Sequence, residues 1–344
     1  MASKTGSHES PDMNQTIVSE PLLHQAGDPT TRKACIVIAY FGNWPVWIDY
    51  YLKSCTENTD FHWLIFSDCQ PITELPPNVR VEHLNKAGLE KMVSATLGTT
   101  YHLSRGYKLV DLKPAYGHIF AEWLRDYAFW GYADLDVIYG DISYWITPAV
   151  LNNYDIVTAS DRLLVGHFTI LRNCDRMVML YTQCTDYLQI LCSEIAEGFD
   201  EKGFNVLAQR LASQNALRLL QWNIKEEDII LRLNRRRNFV ILWRDGQLWD
   251  AIILRRLSYF HFMESKWSQD FLASPRLAVC NTFYIHPTGI YAVRNIFDGM
   301  LLILRLSRAF ALTTPWYFMT LIKAILPQKL RGRIKAWLGK GPSY

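Results

Sequence analysis

The sequence predicts an α/β fold in which helices flank a mostly parallel sheet. Apolar, partly β-branched runs at 34–40, 61–66 and 78–82 are typical of buried strands, and turn residues follow them. A helix that begins at Pro45 follows the first strand and a helix over 86–97 follows the third, which is the alternation of a parallel sheet. The chain has 344 residues, 49% of them apolar and 20% charged, so it can build a large core.

The later elements continue this alternation. A helix begins at Lys113-Pro114 and extends to Leu124, and a buried strand follows at 128–133. Further strands are predicted at 154–158, 166–172, 238–243 and 257–262, further helices at 174–190 and 203–214, and a helical, apolar and basic pattern from 295 to 338. The chain therefore divides into a disordered lead (1–32), an α/β domain (33–290) and a basic amphipathic helical tail (291–344).

Positive charge is concentrated at the end of the chain. The formal net charge is only +3, which argues against a dedicated nucleic-acid-binding protein. Residues 299–344 contain eight Lys and Arg and no Asp or Glu, interleaved with apolar and aromatic residues. This pattern favours helices that lie in an anionic membrane interface. Helices that pack on the α/β domain are the alternative.

Three absences predict a cytoplasmic location. No run reaches the roughly 18 apolar residues that a spanning helix needs, and the N-terminus lacks the apolar segment of a secretory signal. The seven cysteines are an odd number without a C-x-x-C pair, which fits a reducing compartment. We expect a cytoplasmic protein that the tail holds at the inner face of the plasma membrane.

Two carboxylates follow the strand predicted at 128–133. Asp134 and Asp136 are two residues apart, so on extended backbone their side chains point to the same side. Like charges this close repel unless a cation lies between them, and divalent cations often bind one or two carboxylates together with a substrate phosphate. Ligands of open α/β sheets bind beyond the carboxyl ends of the strands. The pair therefore predicts a metal site, with a solvated turn as the alternative.

A second set of polar side chains follows the strand predicted at 257–262. His261 ends the strand, and Lys266 and Trp267 come five and six residues later. An imidazole completes a manganese site, and an ammonium group stabilises a departing phosphate. A packed core histidine is the alternative. The segment supports a metal site only because it complements the ligands that the acidic pair offers.

Together these residues resemble the glycosyltransferases of the GT-A fold. Asp134-Leu135-Asp136 looks like their D-x-D motif, which holds Mn²⁺ or Mg²⁺ against a sugar-nucleotide diphosphate, and His261…Lys266-Trp267 looks like their late H-x-n-K-(P)-W element. The late element lacks the Gly and Pro of better-known retaining enzymes. The chain also resembles a bacterial glycosyltransferase-like family, whose members are often described as hypothetical proteins. It shares blocks at Tyr40–Pro45, Leu64–Asp68, Asp111–Gly117 and Phe129–Asp136, and more weakly at Gly166–Asn173 and Phe199–Asn205.

The resemblance implies a nucleotide site at the ends of the first strands. Tyr40, Phe41 and Gly42 would meet the nucleotide, and Asp68 would accept a hydrogen bond from the base. Asp111 and Lys113 would contact ribose, sugar or phosphate, and Asp134 would join the donor as well as the metal. A turn glycine, a capping aspartate and an ordinary helix start are the structural alternatives for Gly42, Asp68 and the 111–113 segment. The donor would be a UDP- or GDP-linked sugar.

Acceptor-side residues are predicted from the later blocks. Asp200 and Glu201 are the candidates for the general base that an inverting transferase needs. Glu226-Glu227-Asp228 looks more like a helix N-terminus, and the basic run Arg235-Arg236-Arg237 more like a solvated face than a phosphate site. Gly166-His167 would place backbone near the donor sugar or acceptor, with a structural hairpin as the alternative.

The predicted function is metal-dependent transfer of a sugar from a nucleotide donor to an acceptor hydroxyl. Asp134, Asp136 and His261 would hold the metal, and Lys266 would stabilise the leaving diphosphate. The acceptor would be a glycan or a lipid-linked sugar in surface polysaccharide or glycolipid synthesis. The rivals are a metal-dependent phosphotransferase or phosphatase with an aspartyl pair, and a non-catalytic membrane-associated scaffold that keeps a degenerate transferase fold.

Overall fold

The computed structural model describes residues 32–227, 239–263, 265–267, 271–273, 280–294 and 298–302. All of them belong to one compact unit that begins at Arg32. The predicted lead up to 31, the basic run at 235–237 and the tail from 303 onward lie outside the described residues. The division of the chain into three segments stays a prediction.

Sixteen strands and nine α-helices are described. The strands are β1 (Arg32–Tyr40), β2 (Phe61–Ser67), β3 (Val79–His83), β4 (Tyr127–Ala133), β5 (Val137–Tyr139), β6 (Ile156–Thr158), β7 (Phe168–Arg172), β8 (Leu219–Gln221), β9 (Lys225–Glu227), β10 (Ile241–Arg244), β11 (Gln247–Asp250), β12 (Arg255–Leu257), β13 (Tyr259–His261), β14 (Leu272–Ala273), β15 (Thr282–His286) and β16 (Gly289–Ala292). The helices are α1 (Ile48–Thr56), α2 (Lys86–Leu97), α3 (Leu109–Leu112), α4 (Tyr116–Ile119), α5 (Ala121–Leu124), α6 (Pro148–Asn153), α7 (Asp175–Val178), α8 (Tyr187–Cys192) and α9 (Asn205–Ser213).

A seven-stranded sheet forms the centre of the molecule, in the order β3-β2-β1-β4-β7-β6-β8. Strands β1 to β4 pair in parallel, as do β6 and β8, whereas β7 is antiparallel to both of its neighbours. Six of these seven strands therefore run in one direction. The predicted mostly parallel α/β sheet is confirmed, and its carboxyl ends share one edge.

The two faces of this sheet are covered differently. Alternate residues of β1 point to opposite sides, so Ile36 and Val37 belong to different apolar clusters. The Val37 side packs against helical segments that include α2 and α4. The Ile36 side packs against α1 and two smaller sheets. The prediction that helices flank the sheet therefore describes the Val37 side fully and the Ile36 side only in part.

The smaller sheets are the part of the fold that the sequence interpretation missed. A six-stranded sheet has the order β12-β11-β10-β15-β16-β14, and a three-stranded sheet has the order β5-β13-β9. The strand predicted at 257–262 is therefore wrong as a single element. It divides at Ser258, whose backbone N–H donates to the Ile224 carbonyl, so that β12 and β13 belong to different sheets.

Two predicted helices are interrupted. The helix expected from 113 to 124 consists of a 3₁₀ turn followed by α4 and α5, which meet at Phe120 (φ −108°, ψ 22°). The helix expected over 174–190 is broken at Met179 (φ −93°, ψ 3°), between α7 and a 3₁₀ turn. At both positions the backbone leaves the helical region, which the apolar pattern does not reveal. Among the described residues, none of the helices has the length and apolar character to cross a membrane.

Candidate active site

The acidic pair lies in a tight turn between two strands at the carboxyl edge of the central sheet. β4 ends at Ala133 and β5 begins at Val137, so Asp134, Leu135 and Asp136 form the connection. The indole N–H of Trp47 donates to the Leu135 carbonyl at 2.8 Å, and the backbone N–H of Phe262 donates to the Asp136 carbonyl at 2.8 Å. These two hydrogen bonds hold the backbone of the turn on both sides.

Strand pairing brings His261 to the acidic pair. β13 runs antiparallel to β5, and His261 lies opposite Val137, the residue after Asp136. His261 Nε2 is 3.5 Å from Asp136 Oδ2, and one ligand atom from each of Asp134, Asp136 and His261 lies within 4.8 Å of the others. Residues that are 125 positions apart in the sequence thus converge on a volume that one cation could occupy.

Asp136 is buried, with 8% of its surface exposed. Burial pushes the pKa of its carboxyl up, but His261 and Lys266, whose ammonium contacts Oδ2, outweigh burial and hold the pKa well below its usual range. The other oxygen, Oδ1, is buried and has no hydrogen-bond partner among the described residues. A buried carboxylate oxygen without a partner is costly unless a cation or donor completes it.

These donors fit a divalent cation. Two carboxylates and one imidazole are ligands that suit Mn²⁺, and the carboxylates alone suit Mg²⁺. The unsatisfied Asp136 Oδ1 gives a structural reason for a cation at this place. The trio is the one that the sequence interpretation assigned to the metal.

Lys113 lies behind Asp134. Its ammonium donates to Asp134 Oδ1 at 2.6 Å and to the Gly166 carbonyl at 2.8 Å. Burial lowers the pKa of Lys113, but Asp134 and Asp200 outweigh burial and raise the pKa, so the side chain stays charged. Lys113 is 4% exposed, and through these two hydrogen bonds it supports the acidic pair from inside the protein.

Asp200 and Glu201 are next to this lysine. Both belong to a π-helical turn, Asp200–Phe204, that leads directly into α9. Asp200 is buried, and burial raises the pKa of its carboxyl to about 7, with Lys113 opposing the rise and Glu201 and Asp134 adding to it. Glu201 is exposed, and its Oε1 accepts from the Gly166 backbone N–H at 3.3 Å.

Gly166 lies between these groups. A Cβ atom at this position would be 2.4 Å from Asp200 Oδ2 and 3.2 Å from Lys113 Nζ. Only glycine lets the backbone approach the two side chains so closely. The predicted acceptor-side residues, Lys113 and the acidic pair are therefore neighbours in space.

Asp111 differs from the role that the resemblance implied. Its side chain is fully buried, and its carboxylate accepts from Lys108 Nζ at 2.7 Å and from the backbone N–H groups of Glu197 and Phe199, both at 2.9 Å. A carboxylate with no exposed surface does not contact ribose, sugar or phosphate. Instead, Asp111 fixes the segment that leads into Asp200.

The ends of the first two strands are close together, as expected from their parallel pairing. Gly42 has φ +104°, and its backbone N–H donates to Asp68 Oδ1 at 2.7 Å. The Tyr40 ring stacks on Trp44, with 6.0 Å between the centroids, and Phe41 is partly buried. Burial raises the pKa of the Tyr40 hydroxyl, and the negative charges of Cys69 and Asp136 raise it further.

Some features of the site had no signal in the sequence. In the sequence, Trp47 looks like an ordinary helix residue. The family resemblance did single out Gly166, but nothing in the sequence indicated its close approach to Asp200. Near the late element, Trp267 is 79% exposed beside Lys266.

Glu226 and Glu227 lie in β9, so the helix start expected there is wrong. Asp228 lies outside the described residues.

Comparisons with known proteins give one sequence family and a weak structural likeness. No curated protein sequence matches the chain. Among solved structures, the galactosyltransferase LgtC in complex with donor and acceptor sugar analogs superimposes with a TM-score of 0.36 and 10% sequence identity, over 69% of this chain and 90% of that one. Superposition at this level decides neither fold nor activity. A family of unknown function, DUF6625, matches residues 36–294, and the chain belongs to that family.

Proposed function

We propose that this protein is a glycosyltransferase that moves a sugar from a nucleotide-sugar donor to an acceptor hydroxyl with the help of Mn²⁺ or Mg²⁺. One observation carries the proposal. The ligand atoms of Asp134, Asp136 and His261 lie within 4.8 Å of one another at the carboxyl edge of the central sheet. At this edge a nucleotide diphosphate can reach the cation and Lys266 together.

The proposed division of labour follows from charge and exposure. When bound by Asp134, Asp136 and His261, the cation would neutralise the donor diphosphate. Lys266 is 21% exposed in its side chain and lies beside Asp136, so its ammonium can meet the negative charge that develops on the leaving phosphate. Tyr40, Gly42 and Asp68 would hold the nucleoside at the ends of β1 and β2.

The acceptor side of the site is assigned to Asp200 and Glu201. A general base works best when its pKa is near the operating pH, and the pKa of Asp200 is raised to about 7. Glu201 is the exposed member of the two and faces the Gly166 backbone. The acceptor hydroxyl would approach from the Glu201 side, with Asp200 behind it.

The rival enzymatic function is less well supported. In a phosphotransferase, one aspartate of the pair would act as the nucleophile. Asp134 is held by Lys113, and Asp136 is buried against His261 and Lys266. Both carboxylates are thus engaged as electrostatic partners, which suits ligands of a cation better than a nucleophile.

The acceptor class and the membrane association rest on the sequence pattern. The basic, apolar residues from 303 onward lie outside the described part of the chain. A tail on an anionic membrane would bring the site near a lipid-linked or surface glycan acceptor. Sedimentation with anionic vesicles, compared between the full chain and one with the basic residues of the tail replaced, measures this association.

The test is a thermal-shift titration with UDP and GDP, with and without Mn²⁺, on wild type and Asp136→Asn. A ligand at 100 times its dissociation constant adds about 3 kcal/mol to the free energy of unfolding. Asp141→Asn is the matched control, because Asp141 also pairs with a basic side chain, Arg256, at 2.7 Å but is not one of the three candidate ligands.

We expect stabilisation that needs both Mn²⁺ and a nucleotide, that persists in Asp141→Asn and that disappears in Asp136→Asn. The nucleotide that stabilises the protein then selects the sugar nucleotides for transfer assays. Stabilisation by nucleotide that is indifferent to Mn²⁺ and to Asp136 would contradict the proposal, as would no stabilisation at all.

A further inference from the structure

A stacked pair of histidines lies at the candidate metal site. The rings of His167 and His261 have centroids 4.1 Å apart and planes within 27° of each other. Both residues are buried, with 5% and 7% of their surfaces exposed. His261 is a member of the trio that faces the cation, whereas His167 is not. The imidazole of His167 therefore covers one face of a candidate metal ligand.

His167 is itself held from two directions. Its Nδ1 lies 2.9 Å from the hydroxyl of Tyr259, a fully buried residue two positions before His261 on β13. The preceding residue, Gly166, is bound through its carbonyl by Lys113 and through its N–H by Glu201. The ring of His167 is thus fixed by its own side-chain contact and by its backbone.

The effect reaches His261 through contact. The backbone of His261 is fixed by pairing with Val137, but strand pairing leaves the side-chain torsions open. An imidazole binds a metal well only when its ring nitrogen points at the cation, and loss of an outer-shell partner that fixes the ring orientation costs about 10-fold to 100-fold in metal affinity. The stack with His167 restricts the plane of the His261 ring.

We propose that His167 is a positioning residue, which orients His261 for the divalent cation, with Tyr259 holding His167 in place. The proposal rests on the metal site of the proposed function. It assigns the His167 side chain a role on the metal side of the site and requires no contact between His167 and the donor sugar or acceptor.

The experiment measures Mn²⁺ affinity directly, without nucleotide and without turnover. Free Mn²⁺ is quantified by electron paramagnetic resonance during titration of the purified full chain. The variants are His167→Ala, which removes the stack, His167→Phe, which keeps a stacked ring but loses the Tyr259 contact, and Tyr259→Phe. His118→Phe is the matched control, because His118 Nδ1 lies 2.9 Å from the Tyr181 hydroxyl in a similar pair that includes none of the candidate ligands.

We expect His167→Ala to weaken Mn²⁺ binding by about ten-fold to a hundred-fold, as removal of a ring-orienting neighbour does. His167→Phe and Tyr259→Phe should lose less, and His118→Phe should bind as wild type does even where its melting temperature falls. Melting temperatures of all variants separate a loss of affinity from a loss of folding. If His167→Ala does not fold, His167→Phe and Tyr259→Phe decide the question.

Two results would overturn the inference in distinguishable ways. Wild-type Mn²⁺ affinity in the folded His167 variants would remove the positioning role and leave the metal site intact. No Mn²⁺ binding by the wild-type protein would remove the positioning role and the metal site of the proposed function together.

Discussion

Two lysine–aspartate pairs, whose lysines are five residues apart in the chain, differ in how far they are buried. The inner pair, Lys108 and Asp111, is fully buried on both sides. Lys108 Nζ also donates to the carbonyls of Ile190 and Ile195, and Asp111 accepts from two backbone N–H groups. The site pair, Lys113 and Asp134, has side chains that are 5% and 36% exposed, so one carboxylate faces solvent at the site.

The difference separates an ion pair that is complete inside the protein from an ion pair at the candidate site. Each polar atom of the inner pair has a partner inside the protein, which is what a buried charge requires. Near the site pair, a carboxylate oxygen of Asp136 has no partner in the part of the chain that the structure describes, and three acidic side chains raise the pKa of one lysine, Lys113. Local incompleteness of this kind is expected where a ligand supplies the missing partner.

The largest change in stability is expected from the inner pair. Asp111→Ala leaves the buried ammonium of Lys108 without its counter-charge and leaves two backbone N–H groups without acceptors. Loss of one partner of a buried pair costs about 3–5 kcal/mol of the free energy of unfolding. Urea denaturation of wild type and variant measures this loss.

The double variant Lys108→Met/Asp111→Leu sharpens this result. Removing both charges should restore part of the lost stability, because an apolar pair has no uncompensated charge. A loss below about 1 kcal/mol in Asp111→Ala, typical of exposed pairs, would show that the inner pair is not the closed structural element described above.

The next largest effect is a pH dependence that comes from Asp200. Because burial raises the pKa of its carboxyl to about 7, the folded protein holds a proton between pH 4 and 7 that the unfolded chain releases. Its contribution to stability is therefore present at low pH and is lost as the pH rises through 7. From pH 5 to pH 8, wild type should lose about 2–3 kcal/mol more than Asp200→Asn.

Denaturation curves of both proteins at pH 5 and pH 8 give this difference. The titration of all other groups is common to both proteins and cancels when their free energies of unfolding are compared. Parallel pH profiles for wild type and Asp200→Asn would mean that Asp200 titrates normally. The positive charge of Lys113 would then offset the whole effect of burial on the pKa of Asp200. Asp200 would lose its assignment as a base with a pKa near the operating pH.

A smaller loss is expected from Gly166→Ala. The added methyl group would be 2.4 Å from Asp200 Oδ2, so backbone or side chain must move, at a cost of about 1–3 kcal/mol. Gly106→Ala is the matched control, since a Cβ there has open space. Thermal denaturation should place Gly106→Ala close to wild type and Gly166→Ala below it, and equal melting temperatures would refute the close approach.

The smallest change in stability is expected from the site pair. In Asp134→Asn, Lys113 keeps the Gly166 carbonyl and Asp200 as partners, so the loss should stay within about 1 kcal/mol, typical of partly exposed pairs. Mn²⁺ affinity should nevertheless fall, because a ligand is lost. Calorimetry measures the change in stability, and Mn²⁺ titration of the same sample measures the change in affinity. A loss of stability in Asp134→Asn as large as that in Asp111→Ala would contradict the distinction between the two pairs.

The first half of the central sheet could be predicted because its signals are local. The apolar runs at 34–40, 61–66, 78–82 and 128–133 coincide closely with β1 to β4, and the acidic pair does follow β4. The trio Asp134, Asp136 and His261 follows from residue types, their spacing after predicted strands and the family resemblance, and the structure brings its ligand atoms together.

The strand predicted at 238–243 overlaps β10, but the second sheet around it was missed for a physical reason. Its described strands have two to five residues, too few for a period to be seen. One signal was present, since Asp245-Gly246 has positive φ at both residues and joins β10 to β11, as hairpin turns of this composition do. The broken helices and the division at Ser258 depend on contacts with other segments.

The sequence by itself determined the class of the sheet, the position of the acidic pair at its carboxyl edge and the identity of the candidate metal ligands. Alternation, apolar runs and ligand chemistry are properties of residues and their near neighbours. Only the tertiary structure decided that Asp111 is internal whereas Lys113 supports the site. It also decided that the Gly166 backbone lies directly against Asp200 and that the ring of His167 stacks on that of His261. These facts depend on distances between residues 21 to 94 positions apart in the chain, which side-chain packing sets and no local pattern encodes.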